Sequence, residues 1–295
     1  MNKDVAFSLK TKDISYNYLT LFALFKNIMK KIALVFDFDE TLVEESTSAF
    51  LSSKGIDVNT FWGETVDSLI KEDWDPVPAY MFKMIEASMT VPMTKQDFQE
   101  FGKKVKYKEG VLDLFKNLKS FISDNYPSFE IEYYIISSGI GEIIRHTSIS
   151  NNFKDIWASD FEYTSDNQIA FSKKILSFTD KTRYLFQISK GMIGPEYRSQ
   201  PYVVNEKYDS GNYVIPFKNM IYIGDGLTDV PCFSLLKKNN GVAIGVYDAQ
   251  NTQAYSKVWK FIKEDRVSNL HTANYREGSD LYNSILMAIS SIADA

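Results

Sequence analysis

An α/β fold is what this 295-residue sequence predicts: a parallel sheet with helices on both faces, and a helical segment inserted after the first strand. Three observations carry it. The apolar runs IALVF, EIEYYII and MIYI each stop abruptly in small or acidic residues, at DFDET, SSGIGE and GDGLTD. Helix-patterned stretches separate them, as in sheets whose strands are buried on both faces. Residues 44–106, by contrast, carry helical spacing with little strand character.

Residues 1–28 contain YLTLFALF at 18–25, preceded by Asp4 and Asp13. They read either as an amphipathic helix packing on the body or as an appendage to a domain beginning at Met29. The α/β core takes residues 29–43 and 107–295. Between them, NTFWGETVDSLIKE, AYMFKMIEASM and TKQDFQEFGKKV, with a break at DWDPVP, predict a small helical domain over 44–106. Trp62, Trp74 and Met81 read there as packing residues. Further on, TDKTRYLFQI predicts a helix entered at Thr179 or Asp180, and 191–217 reads as an elaborate loop or small hairpin. A helix with Asp229 as N-cap and Pro231 in its first turn ends at NNG, ahead of a fourth strand, VAIGVY at 242–247. Ligands of open parallel sheets bind beyond the carboxyl ends of the strands, where all three unusual endings point.

Composition narrows the function. With 38 acidic against 33 basic residues and a net charge of −5, no basic stripe suits a nucleic-acid backbone, so no nucleic-acid partner is expected. The single cysteine, Cys232, excludes an intramolecular disulfide framework and a multi-cysteine metal site. Lys238 stands six positions on, so a Cys-x5-Arg phosphate loop is absent as well. His146 and His271 are the only histidines and read as structural or surface residues. No apolar run approaches the ~18–20 residues of a membrane span. The expectation is a cytoplasmic protein with no membrane partner; the pattern singles out no oligomeric state.

Four features then fall in a telling order: DFDET behind the first strand, IISSG at the end of the second, DKT at a helix start, and GDGLTD behind another strand. Together they resemble the haloacid dehalogenase (HAD) superfamily, in particular its phosphoserine-phosphatase-like members, over roughly residues 29–250. The resemblance implies a Rossmann-like core with an α-helical cap between the first two motifs. It makes Asp37 the nucleophile, Asp39 the general acid/base, and Ser137 the phosphate-binding hydroxyl. Lys181 orients nucleophile and phosphate, and Asp225 and Asp229 complete, with Asp37 and Asp39, the acidic set holding Mg²⁺. Phe38, Ser138 and Gly139 join the phosphate-binding turn, Ser138 through its hydroxyl or its amide. Lys173, Lys174 and Lys190 are alternatives to Lys181. Glu40 is expected to be solvated, and Thr41 to brace the loop through its hydroxyl.

The chemistry needs these residue types. Phosphate-monoester hydrolysis is among the slowest uncatalysed reactions, so its catalyst must supply charge and positioning. A carboxylate nucleophile divides the reaction into two steps. A second carboxyl two residues on can protonate the leaving alkoxide, provided the backbone leaves the strand near Phe38. Several carboxylates facing a phosphate require a hard divalent cation, which suits Mg²⁺. The resulting expectation is a Mg²⁺-dependent phosphatase acting on a small phosphorylated metabolite, since a helical lid obstructs a folded substrate. Dehalogenases of the superfamily lack a carboxylate at the position of Asp39, and its ion pumps carry Thr there. A phosphomutase using the same Asp pair, and a catalytically idle phosphate-binding module, are the alternatives.

Overall fold

In the computed structural model of the chain, the described residues are 29–209, 211–250 and 252–295, apart from the side chains of 252–257. The YLTLFALF stretch lies outside them. Seven strands form one sheet in the order β4-β3-β2-β1-β5-β6-β7. They are β1 (Lys30–Phe36), β2 (Phe129–Ile140), β3 (Phe153–Tyr163), β4 (Ile169–Lys174), β5 (Met220–Gly224), β6 (Val242–Tyr247) and β7 (Asn269–Thr272). All neighbours pair in parallel except β3 and β4, which form an antiparallel hairpin at one edge.

The central strand shows why these segments are strands. Ile32, Leu34 and Phe36 belong to one core, while Ala33 and Val35 belong to a second on the other face, and all five are fully buried. An apolar run with a period of two and no polar face is stable only between two layers of helices. The Val111–Asn125 and Asp280–Ala293 helices contribute to the first core. The Asp180–Lys190 and Val230–Lys238 helices contribute to the second.

The chain leaves β1 and enters helices at Ser46–Ser53, Val58–Thr60, Asp67–Lys71, Pro76–Ser88 and Lys95–Gly102, with a π-turn at Phe61–Val66. Its exit and return are tied together. The Glu44 amide donates to the Lys106 carbonyl at 2.9 Å, and the Lys108 amide to Leu42 at 2.9 Å. Phe98 stacks on Phe161 of β3 at 5.9 Å, so these helices rest on the sheet edge and share its core. Met81 is fully buried, whereas Trp74 is partly exposed against Phe82 and Trp62 donates to Ser48 Oγ at 2.8 Å.

Of the two readings of 191–217, the described residues take the loop, with a helical turn at Pro195–Arg198 and a 3₁₀ turn at Val203–Asn205. Two other expectations change in detail. Asp229 is the N-cap residue of the Val230–Lys238 helix, which has Pro in its first turn, as expected, but its carboxylate makes no capping hydrogen bond to it. That carboxylate is engaged by Lys181 and Tyr222, and it accepts the Gly226 amide at 3.1 Å. Strand β2 does not end before Ser137 but continues through Ser138 and Gly139 to Ile140. Its register against β3 slips there: Ile136 pairs with Trp157 but Ile140 with Ser159. The extra residues bulge out of the ladder, which re-aims the serines.

Candidate active site

Strand register brings the motifs to one edge. Phe36 lies opposite Ile135 of β2 and Ile223 of β5, so Asp37, Ser137 and Asp225 all emerge just past that row. The Asp37 amide still donates to the Ile223 carbonyl at 2.9 Å, which fixes it between the two strand ends. The connections depart in opposite directions on either side of β1, toward β2 and toward β5. This is the switch point at which open α/β sheets form a crevice.

Beyond Asp37 the backbone turns sharply. The amides of Thr41, Leu42 and Val43 all converge on the Phe38 carbonyl, and Glu40 takes a left-handed conformation with φ 54°. Such a φ is uncommon outside glycine, and Glu40 is held there from both ends. Its carboxylate accepts the Glu45 amide at 2.9 Å and Lys108 Nζ at 2.8 Å, so it is not simply solvated. Lys108 also reaches Asp248 at 3.1 Å and thereby ties this loop to the end of β6. The Thr41 hydroxyl is buried without a partner; the Thr41 carbonyl, which accepts from the Tyr275 hydroxyl, does the bracing instead.

Asp37, Asp225 and Asp229 each offer a carboxylate oxygen, and these oxygens lie within 4.8 Å of one another. Lys181, fully buried in the first turn of its helix, reaches Asp37 Oδ2 at 3.0 Å and Asp229 Oδ1 at 2.7 Å. The Tyr222 hydroxyl donates to the same Asp229 oxygen at 2.7 Å. Gly224 makes room for this: a Cβ there would stand 2.4 Å from Asp229 Oδ2. Lys173, Lys174 and Lys190 make no contact with the group; they pair with Glu162, the Tyr184 ring, and the carbonyls of Val204 and Glu206.

The electrostatics are those of a site short of positive charge. Burial and the Asp229 charge raise Asp37 to about 6, with Lys181 opposing. Loss of hydration, then Asp37 and Asp229, push Asp225 well above the carboxylate range. Burial acts against the Lys181 ammonium, yet Asp229 and Asp37 outweigh it and hold its pKa above the usual lysine value. With all three carboxylates ionised, one ammonium leaves two negative charges, which one divalent cation offsets. Oxygen-only donors suit a hard cation such as Mg²⁺.

Asp39 stands apart from that group: its carboxylate, expected among the metal ligands, is not one of the three. It accepts the Ser46 amide at 2.7 Å, and a Cβ on Gly139 would stand 2.4 Å from its Oδ2 and 3.2 Å from Ser137 Oγ. Gly139 thus lets the first loop and the β2 bulge close on each other. Burial, reinforced by Glu45, raises Asp39 to about 8, so it holds a proton near neutrality. The donors expected for phosphate are locally engaged: the Phe38 amide on Asp37 Oδ1 at 2.7 Å, the Gly139 amide on Ser137 Oγ at 3.0 Å. Ser138 Oγ is buried without a partner, and its carbonyl accepts the Tyr80 hydroxyl at 2.7 Å. The helix after the bulge is a single turn, Gly141–Ile144.

Tyr80, Tyr222, Glu45 and Lys108 had no sequence signal as site residues. Tyr222 sits inside an apolar run and reads as core, and the others acquire meaning only through partners distant in sequence.

Known proteins agree with this architecture. The sequence pattern of the Putative Phosphatase family matches residues 32–289. An uncharacterized protein of Borreliella burgdorferi is 32% identical over 292 residues, covering 88% of this chain and 96% of that protein. Among solved structures, a probable phosphoserine phosphatase from Vibrio cholerae aligns at TM-score 0.54 and 12% identity, over 97% of this chain and 76% of its own. A HAD family hydrolase from Salmonella enterica serovar Typhi aligns at 0.53 and 14%, over 89% and 77%. A phosphoserine phosphatase in a phospho-aspartyl intermediate analogue aligns at 0.52 and 16%, over 87% and 98%. These likenesses establish the fold, that of HAD-type phosphatases, and the matched pattern establishes the kinship: the chain belongs to the Putative Phosphatase family.

Proposed function

We propose that the chain is a Mg²⁺-dependent phosphatase that hydrolyses a small phosphorylated metabolite through an aspartyl-phosphate on Asp37. The observation that carries this reading is the convergence of Asp37, Asp225, Asp229 and Lys181, with Asp39 two residues beyond Asp37 on its loop. Asp37, Asp225 and Asp229 would hold the ion; bound Mg²⁺ supplies the positive charge that lets a phosphate approach them. Asp37 attacks phosphorus through one carboxylate oxygen, and the ester P–O bond breaks. Protonated Asp39 gives its proton to the departing alkoxide and is left as a carboxylate. It then takes a proton from water as the water oxygen attacks phosphorus, and cleavage of the acyl-phosphate P–O bond returns Asp37 and frees phosphate. Lys181 holds Asp37 oriented and favours its ionised form for the attack, and Ser137 is placed to donate to a phosphate oxygen.

The helices of 46–102 supply the lid, closed onto the site through Tyr80 and the Ser138 carbonyl. That enclosure supports a small substrate. The single cysteine is buried and free, which suits a reducing compartment, and we place the activity in the cytoplasm. Release of p-nitrophenol from p-nitrophenyl phosphate by the wild type with Mg²⁺, but neither with EDTA nor by Asp37→Asn, is the expected result. Equal background from both folded proteins would favour an idle phosphate-binding module. In a panel of phosphorylated metabolites, the best small ester should exceed any phosphoprotein in kcat/KM; parity would overturn the substrate class.

A further inference from the structure

A cavity of about 370 Å³ opens between β3, β4, the Asp180–Lys190 helix and the 191–201 loop. That size falls within the range of small-molecule sites, ~300–1,000 Å³. Its charged lining is one-sided: Arg145, Lys173, Lys174, Arg183 and Arg198 against a single carboxylate, Asp160. None of these belongs to the carboxylate site. Three of the cations have acidic partners: Arg145 pairs with Asp160, Lys173 with Glu162, and Arg198 with Asp155 at 2.9 Å.

Lys174 and Arg183 differ. Among the described residues neither has a carboxylate within ion-pair distance, and both lie over the ring of Tyr184, at 5.1 and 4.7 Å. One Arg183 nitrogen donates to the Tyr184 hydroxyl, while its Nε is buried with no partner. Two cations crowding one ring repel each other, and the cation–π attraction of ~0.5–2 kcal/mol does not neutralise either charge. Burial lowers Lys174 to about 8, with Asp160 opposing and the guanidinium groups of Arg183, Arg145 and Arg198 adding to the fall. An ammonium so placed lacks a counter-charge. The floor is aromatic: Trp157 stacks on Tyr184 at 5.0 Å and 26°. The loop wall is fastened by Asp155, which accepts the Gly194 amide at 3.0 Å as well as Arg198.

We propose that this cavity binds a small organic anion through a phosphate group, held by Lys174 and Arg183 over the Trp157–Tyr184 floor. Guanidinium and ammonium donors around one opening match the several oxygens of a phosphate, and the aromatic floor takes its organic part. The site is separate from the carboxylate cluster, and its occupancy does not depend on the phosphatase reading.

Calorimetric titration of the full chain with inorganic pyrophosphate tests it. EDTA is included so that the carboxylate site, stripped of cations, repels the anion. Wild type should bind about one equivalent, and Lys174→Gln/Arg183→Gln should bind about tenfold more weakly or worse. Asp160→Asn, which frees Arg145, should bind several-fold more tightly, a gain that misfolding cannot mimic. Circular-dichroism melts serve as the folding control. Absence of binding to wild type, or affinities that the variants leave unchanged, would overturn the proposal.

Discussion

Replacing Lys181 by methionine probes the charge balance most sharply. The side chain is fully buried and touches Asp37 at 3.0 Å, Asp229 at 2.7 Å and the Thr228 hydroxyl at 3.2 Å. Methionine fills much of the same volume but removes the only side-chain cation among the described residues in contact with two members of the carboxylate group. Deleting one partner of a buried ion pair costs about 3–5 kcal/mol, because the other is left charged and dry. Proton uptake by the freed carboxylates limits that cost, at ~1.4 kcal/mol per pKa unit. At roughly 2–4 °C per kcal/mol for chains of this size, Tm in EDTA should fall by about 6–20 °C. Adding Mg²⁺ should raise Tm more in Lys181→Met than in wild type, since the ion then supplies the whole counter-charge. Thermal melts with and without Mg²⁺ decide it. A variant melting within about 2 °C of wild type in EDTA, or gaining no more than wild type from Mg²⁺, would refute the reasoning.

Asp39→Asn should lower turnover of an alkyl phosphate ester by about 10²–10⁴, and that of p-nitrophenyl phosphate less, because its leaving group needs no proton. The Mg²⁺-induced rise in Tm should persist in that variant, since the Asp39 carboxylate lies outside the three-carboxylate group; its loss would contradict the assignment. Gly139→Ala places a Cβ 2.4 Å from Asp39 Oδ2 and should reduce kcat by up to ~10²-fold, whereas unchanged kinetics would show that the close approach is not needed. Lys174, held at about 8 chiefly by burial, titrates below an unfolded lysine at ~10.4, so the unfolded chain binds more protons between those values. The cost of keeping it charged is full below pH 8 and lifts as pH rises. Tm of wild type relative to Lys174→Gln, in phosphate-free buffer, should climb between pH 8 and 10; a flat difference would count against it.

How much was legible follows from where each signal lives. Ile32 to Phe36 and Met220 to Ile223 are apolar on both faces, a pattern that needs no tertiary information. The carboxylates directly behind them could therefore be assigned to a strand edge. Strand β3 reads FKDIWASDFEY, and its charges hide it because Asp155 and Asp160 are neutralised by Arg198 and Arg145 from elsewhere. Four-residue β7 is too short to show a period. Asp229 holds the helix-cap position that local chemistry favours, but its carboxylate goes to buried contacts with Lys181 and Tyr222, which no local pattern announces. Glu40 looked solvated because Lys108, its partner, is far along the chain and comes close only through the paired linkers. Which carboxylates share an ion was likewise invisible: alternation groups Asp37 with Asp39, and the turn at Phe38 separates them.

The most direct measurement is acid-quenched phosphoryl trapping followed by peptide mapping. With Mg²⁺ and a turned-over phosphate ester, label should appear on the peptide carrying Asp37, at that residue, and be absent from Asp37→Asn and from EDTA-treated protein. Metal-dependent release of phosphate with no label on Asp37, or with label retained in Asp37→Asn, would contradict the account.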